Sequence, residues 1–280
     1  MYRLSHQTTQ IDPSIAFVAR EDADTSTNVV RSVASALAEN RLTVAFQPVV
    51  SARNTKIPAF HECLVRIRER NGEVTPAARF MPHVEGSDIG RLVDRAVLRK
   101  AVEVLKDTQR VRLSINLSAN GVGDMDWLAI LETACAAAPQ CGEFLIIEIT
   151  ESAILNLTPE KFAFLNRLRD LGCSIALDDF GAGHTSIGQL GKFRFDFLKI
   201  DGSYIRDILE NEDHQFLLRS MVSIARHFEM VSVAEMVEDQ EAADLLTDMG
   251  IDCLQGYAFG KPSLTPEFLG KPDSKVAWSI

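Results

Sequence analysis

A closed, TIM-like (β/α)8 barrel is the α/β fold class that this sequence predicts, and three observations carry the prediction. Strand-sized apolar runs alternate with helix-period stripes over about 230 residues, the pattern of a mostly parallel sheet buried on both faces. Eight such runs in a chain of 280 residues favour one closed barrel over an open sheet. No GxGxxG fingerprint follows the first run, which weakens a dinucleotide-binding sheet.

The elements follow in order. Residues 1–25 read as a polar, irregular arm outside the main core, with Thr8, Thr9, Gln10, Asp12, Pro13 and the acidic stretch Glu21 to Asp24; only Ile15 to Val18 could dock. Residues 26–280 read as one domain. Val29, Val30, Val33 and Leu37 predict a helix over Asn28 to Ala38, and Val44 to Val50 predicts the first strand. His61 to Ile67 is the second strand. Ile89, Leu92, Val93, Ala96, Val97, Ala101, Val104 and Leu105 form one helical stripe. Strands are then expected at Val111 to Asn116 and Phe144 to Glu148. Thr158 as N-cap, Pro159 at the first helical position, Phe162, Leu165 and Leu168 on one face and Gly172 as terminator outline the next helix. Cys173 to Asp178 and Phe195 to Ile200 are strands. Phe216, Leu217, Met221, Ile224 and Ala225 outline a third helix, followed by strands at Val231 to Glu235 and Ile251 to Leu254.

Composition excludes several function classes. With 39 acidic and 29 basic side chains the formal charge is -10, which disfavours nonspecific binding to a nucleic-acid polymer or an anionic membrane. No apolar run approaches the ~18 residues of a transmembrane helix. Met1 to Gln10 lacks the apolar core of a secretion signal, so a cytoplasmic protein is expected. The five cysteines, Cys63, Cys135, Cys141, Cys173 and Cys253, are odd in number and never spaced as CxxC, and no HxxxH pair occurs. A disulfide framework and zinc chemistry are both disfavoured.

In a barrel of this kind the site lies at the C-terminal ends of the strands. Glu62 falls on the second strand, Asn116 closes the third, Glu148 the fourth, Asp178 and Asp179 follow the fifth, Lys199 nearly closes the sixth and Glu235 follows Val233-Ala234. Adjacent aspartates can share one site only where the strand gives way to a loop, and the glycines of Phe180-Gly181-Ala182-Gly183 are expected to supply that break. Oxygen ligands without cysteine or histidine select hard ions, Mg²⁺ or Mn²⁺. Five carboxylates are too many for one ion, so two are expected, the arrangement that clamps both oxygens of a phosphoryl transfer. Lys199 and Arg66 would add positive field for an anionic substrate.

The chain resembles the EAL domain, the cyclic di-GMP phosphodiesterase family, from about Leu42 to Pro262. The motifs that carry the resemblance are Phe46-Gln47-Pro48, Glu62-Cys63-Leu64-Val65-Arg66, Ser114-Ile115-Asn116-Leu117-Ser118, Glu148-Ile149-Thr150-Glu151, Asp178-Asp179-Phe180-Gly181, Leu198-Lys199-Ile200-Asp201, Ala234-Glu235-Met236-Val237-Glu238 and Gln255-Gly256-Tyr257. The resemblance implies a barrel whose first strand runs antiparallel to the rest. It implies hydrolysis of cyclic di-GMP to linear pGpG, with Glu62, Asn116, Glu148 and Asp178 on one metal and Asp178, Asp179 and Glu235 on the second. Lys199 would orient the attacking water, making Lys199, Glu62 and Glu235 the catalytic set, while Gln47, Arg66 and Gln255 would contact substrate. Glu151 would tether the loop after Asp179 from behind, near a homodimer interface, and Glu238 would support the site from outside the ligand set. A receptor that binds cyclic di-GMP without turnover, or a protein-binding scaffold, are the alternatives on the same fold.

The chain departs from the family pattern in three places. Cys63 replaces the usual alanine of the signature and is expected to pack against the helices, on the face opposite Glu62. Met236 stands where glycine is usual, so a positive φ or a close backbone approach there would strain it. His184-Thr185-Ser186 replaces the usual Tyr-Ser-Ser, with His184 expected to be a solvated loop residue, and His61 is expected to be structural.

Overall fold

The computed structural model describes residues 13–108, 111–155, 157–182, 190–191 and 193–269, with side chains from residue 26 onward. The strands are β1 (Leu42–Ser51), β2 (Asn54–Arg68), β3 (Val74–Pro76), β4 (Leu113–Asn116), β5 (Leu145–Thr150), β6 (Ser174–Phe180), β7 (Phe197–Ile200), β8 (Val231–Ala234) and β9 (Cys253–Gln255). The α-helices among the described residues are α1 (Pro13–Ala38), α2 (Met81–Val84), α3 (Asp88–Asp107), α4 (Met125–Ala137), α5 (Gln140–Glu143), α6 (Glu151–Leu155), α7 (Pro159–Asp170), α8 (Glu212–His227) and α9 (Gln240–Asp248).

The sheet closes on itself as a barrel of eight strands, because β1 pairs with both β2 and β9. β2 and β4 to β9 run parallel to their neighbours in the barrel, whereas β1 is antiparallel to each of its partners. A tight connection between Ser51 and Asn54 makes β1 and β2 a hairpin, so no crossover helix intervenes and the first strand must point the other way. The short β3 adds to the outside of β2.

Two apolar layers fill the fold. The inner one stacks Val49, Ala59, Phe60, Ile146, Ala176, Phe197, Val233 and Cys253 inside the barrel, with Phe60 edge-on to Phe197 at 5.5 Å. The outer one lies between sheet and helices and includes Cys63 beside Val65, Ile67 and Leu98, as alternation requires. Burial pushes the Cys63 thiol well above its ordinary range, which leaves it a packing residue.

Three expectations on secondary structure change. The helix expected from Asn28 begins at Pro13, inside the stretch expected to be irregular. Val33 and Ala36 are fully buried, and a helix anchored there extends cheaply toward its N-terminus, with proline suited to its first position. On α8 the buried face is Leu218, Met221, Val222 and Ala225, while Phe216 is 70% and Leu217 41% exposed. At 100° per residue Phe216 lies on the side of the helix away from Leu218, so the stripe has a different phase from the expected one. On α3 Leu92 is exposed, and a carboxylate, Asp94, is buried instead.

Candidate active site

Side-chain alternation along each strand builds the site directly above the inner apolar layer. Two residues beyond Phe60 stands Glu62; beyond Ile146, Glu148; beyond Ala176, Asp178; beyond Phe197, Lys199; beyond Val233, Glu235; beyond Cys253, Gln255. On β1 the polar residue, Gln47, comes two before Val49, because that strand runs the other way. Gln47 pairs in register with Glu62, and Val49 with Gln255.

Lys199 is the hub, buried to 1% exposure. Its Nζ lies 2.8 Å from Glu148 Oε2, 2.8 Å from Glu235 Oε1, 3.0 Å from Asp178 Oδ1 and 3.7 Å from Glu62 Oε2. Burial pushes the ammonium down, but the carboxylates of Asp178, Glu148, Glu235 and Glu62 outweigh it and hold Lys199 well above its usual value. It stays charged. Glu62 is further held by Asn116 Nδ2, which donates to Oε1 at 2.8 Å, and by Gln255 Nε2, which donates to Oε2 at 2.6 Å. Burial would raise the Glu62 carboxyl, yet Lys199 and these two amides leave it lowered. Gln255 Nε2 also lies 3.4 Å from Gln47 Oε1, and Gln47 donates to the Gly260 carbonyl.

One ammonium does not neutralise five carboxylates. Burial holds Glu148 well above the carboxylate range, with Lys199 opposing and Glu62 and Asp178 reinforcing. Burial likewise pushes Glu235 up to about 8 against the pull of Lys199, and burial with the Asp178 charge pushes Asp179 up to about 6. Glu148 Oε1 is buried without a hydrogen-bond partner, and Asp178 Oδ1 has its ion pair to Lys199 but no hydrogen bond. Ligand oxygens of Asp178, Asp179 and Glu235 all lie within 4.8 Å of one another. Orphaned oxygens, excess negative charge and an all-oxygen donor set fit hard divalent cations.

The doublet reaches one site by a different device from the expected loop. β6 continues to Phe180, which pairs with Ile200, while Leu177 pairs with Leu198, so Asp178 and Asp179 together oppose Lys199. This is a β-bulge, and Asp179 sits in it at φ 56°. The extra residue turns the second carboxylate toward the face of the first. Gly181, at φ 99°, follows the bulge and does not create it. Gly183 and His184-Thr185-Ser186 lie outside the described residues.

The remaining expected residues surround this cluster. Glu151, buried at the start of α6, accepts the Gly181 N–H at 3.2 Å through Oε1. Arg66 lies further along the same face of β2 as Glu62, half-buried; burial lowers its pKa against the charges of Glu62 and Tyr257, and its one hydrogen bond here goes to the Val65 carbonyl. Glu238 is exposed at the rim, immediately before Asp239, the N-cap of α9. Met236 has φ 56° and is 53% exposed. The left-handed conformation feared for this position is therefore present, and the space over Gly202 receives the side chain. His61 is half-buried against Phe268 at 4.7 Å between ring centroids, and burial lowers its pKa to about 4, as suits a structural residue.

A cavity of about 300 Å³ opens on the cluster, lined by Gln47, Glu62, Glu235, Met236, Gln255 and Tyr257 among others. Two grooves of about 680 and 600 Å³ on the outer wall of α3 are larger but contain none of the convergent carboxylates. Chemistry rather than size locates the site. Tyr204 was not singled out from the sequence, and Tyr257 entered only within the Gln255-Gly256-Tyr257 motif, without a role. Only the fold brings Tyr204 OH to within 2.9 Å of the Gly181 carbonyl and Tyr257 to the cavity wall.

Comparison with known proteins agrees with this architecture. The chain is 31% identical over 252 residues to the cyclic di-GMP phosphodiesterase PdeB of Shewanella oneidensis, covering 88% of this chain and 29% of that protein. It is 32% identical over 231 residues to the cyclic di-GMP phosphodiesterase PdeF of Escherichia coli, covering 81% of this chain and 30% of that one. The chain thus spans about three-tenths of the length of these relatives. Among solved structures, the PaMucR phosphodiesterase in complex with c-di-GMP superposes with a TM-score of 0.74 at 26% identity, over 84% of this chain and 97% of that one. The model of the EAL domain matches residues 30–262, and the chain belongs to the EAL domain family.

Proposed function

We propose that this domain hydrolyses cyclic di-GMP to linear pGpG. The observation that carries the reading is the meeting of Asp178, Asp179 and Glu235 oxygens within 4.8 Å, beside the unpartnered Glu148 Oε1, at the mouth of the barrel. The names of PdeB, PdeF and PaMucR support the substrate.

Glu62, Asn116, Glu148 and Asp178 would hold one ion and Asp178, Asp179 and Glu235 a second. Two Mg²⁺ or Mn²⁺ ions, when bound, would make a water acidic enough to act at neutral pH and offset the charge gathering on phosphorus. Lys199, held as an ammonium, donates a hydrogen bond and orients the attacking oxygen; it is not a base. Water adds to phosphorus, the bond to the 3′ oxygen breaks, and that oxygen leaves with a proton. Arg66 presents two parallel donors to a phosphate from the edge of the cluster. Gln255 is fixed by its bond to Glu62 and keeps Oε1 without a partner, which suits it to accept from the substrate, with Gln47 alongside. Glu151 acts on the Gly181 amide, and Glu238 shapes the rim.

Incubation of the purified protein with cyclic di-GMP and Mg²⁺ or Mn²⁺, followed by chromatography, tests the reading; pGpG is the expected product. Binding without pGpG would leave a receptor, and absence of both would leave a scaffold. The domain is expected to act as a cytoplasmic homodimer, and a monomeric mass by light scattering would remove the dimer.

A further inference from the structure

Asp179 is the one member of the Asp178, Asp179 and Glu235 trio that owes its direction to an unfavourable backbone. Its φ of 56° is rare for a residue with a side chain and persists only where surrounding contacts hold it. The contacts that hold it converge on one residue, Gly181, two positions on, and grip the peptide units on either side of its Cα. The Gly181 N–H donates to Glu151 Oε1 at 3.2 Å, and the Gly181 carbonyl accepts from Tyr204 OH at 2.9 Å. Glu151 rises from the end of β5 and Tyr204 from beyond β7, so the segment is gripped from both neighbouring strands of the barrel.

The Tyr204 ring also closes over the glycine. A Cβ at Gly181 would stand 2.6 Å from Tyr204 Cε2 and 2.8 Å from Met221 Cε, so the backbone approaches the ring as only glycine allows. The ring in turn is fixed. It ends a 3-10 turn, Gly202–Tyr204, capped by Asp201, whose side chain accepts from Ser203 N. It also meets the His214 imidazole at 5.4 Å between centroids, and His214 Nδ1 is paired with Asp207.

We propose that Tyr204 is a positioning residue for Asp179: its hydroxyl, opposite Glu151, locks the bulge so that the second carboxylate of the doublet is in place for a divalent cation. The assignment rests on the metal reading above, but not on hydrolysis. It divides labour within the site. Asp178 is placed by its strand, whereas Asp179 is placed by a clamp that a single hydroxyl completes.

Mn²⁺ titration followed by electron paramagnetic resonance of the free ion, on the full chain without nucleotide, tests it. Tyr204→Phe deletes only the hydroxyl and should weaken one class of Mn²⁺ site about fivefold, the equivalent of one lost hydrogen bond, while leaving the other class unchanged. Glu151→Gln should weaken the same class. In turnover, Tyr204→Phe should need more Mn²⁺ for the same kcat, with KM for cyclic di-GMP unchanged. A wild-type isotherm for folded Tyr204→Phe overturns the role of Tyr204 while the hydrolase reading stands. Wild-type protein that binds Mn²⁺ but makes no pGpG overturns hydrolysis and still lets the isotherm decide Tyr204. Should the variant fail to fold, hydrogen exchange in the wild type decides: by reciprocity, saturating Mn²⁺ must slow exchange at Gly181 and Ala182, and unchanged rates overturn the proposal.

Discussion

Met236 lies over Gly202: a Cβ on Gly202 would overlap Met236 Cγ and Sδ. The pair gives the methionine side chain its place directly after Glu235, since the absent side chain of one residue makes room for the present side chain of the other; the left-handed backbone of Met236 remains a local cost. Gly202→Ala should therefore cost about 2 kcal/mol by overpacking in the wild type, and less than half of that in a Met236→Gly background. Thermal or urea unfolding of the four proteins measures the coupling. Equal costs in both backgrounds would show that the two residues do not press on each other.

Lys199 anchors Glu148, Asp178 and Glu235, and among the described residues it is the one cationic side chain paired with them. Lys199→Met should lower stability at pH 8 by about 3–5 kcal/mol, because the carboxylates lose their buried partner. The deficit should shrink at pH 5.5, where Glu148 and Glu235, both raised by burial, take up protons, and shrink again on adding Mg²⁺ or Mn²⁺. Urea unfolding under the three conditions gives the comparison; a deficit independent of pH and metal would contradict the electrostatic account.

Removal of metal should act on both stability and turnover. EDTA is expected to abolish pGpG formation, and Mn²⁺ at a hundred times its dissociation constant should stabilise the fold by about 2.7 kcal/mol. Asp178→Ala removes the proposed shared ligand and should lose the Mn²⁺-dependent rise in Tm together with activity, as should Glu62→Ala for activity. Normal turnover in either variant would refute the ligand assignment.

Arg66 is tied to the scaffold by one backbone hydrogen bond, leaving most of its donors for a ligand. Arg66→Lys keeps the charge but loses the paired donors, and is expected to raise KM for cyclic di-GMP about tenfold with kcat little changed. Steady-state kinetics across substrate concentration separates the two constants.

Asp94 supplies a pH dependence distant from the carboxylate cluster. Its carboxyl is buried on α3 and accepts from the Ser118 hydroxyl at 2.6 Å and amide at 3.3 Å; burial pushes its pKa up to about 7 despite those bonds. A raised carboxyl means that the folded state holds a proton that the unfolded chain has released, so stability from this group falls as pH rises from about 4 to about 7, by at most about 1.4 kcal/mol per pH unit. Asp94→Asn mimics the neutral acid and should remove that slope. Stability of the wild type and the variant, compared from pH 4.5 to 8, should diverge with the variant ahead at high pH; parallel curves would show that Asp94 is ionised throughout.

Much of the fold was legible because its signals are local. The Thr158 cap accepts from Lys161 N and α7 starts at Pro159, as the sequence predicts. The strands were found near their true places because apolar runs of that length have few other uses. Errors arose where a neighbour decides: α8 turned Phe216 outward because Leu218, Met221, Val222 and Ala225 make the better apolar face against the barrel. The hidden Asp94 had no sequence signal, since nothing near it in the chain announces the Ser118 hydroxyl.

By itself the sequence determined which side chains share the interior of the barrel. Alternation is a property of a single strand, so Phe60 and Glu62, Ile146 and Glu148, Ala176 and Asp178, Phe197 and Lys199, and Val233 and Glu235 must each face the same way whatever surrounds them. Tertiary structure alone decided how many residues of one strand oppose one of the next and which distant side chains meet. It produced the bulge that aims Asp179, the seat of Met236 on Gly202 and the reach of Tyr204 to Gly181. Register between parallel strands is set by hydrogen bonds between segments far apart in the chain, and no local pattern of side chains encodes it.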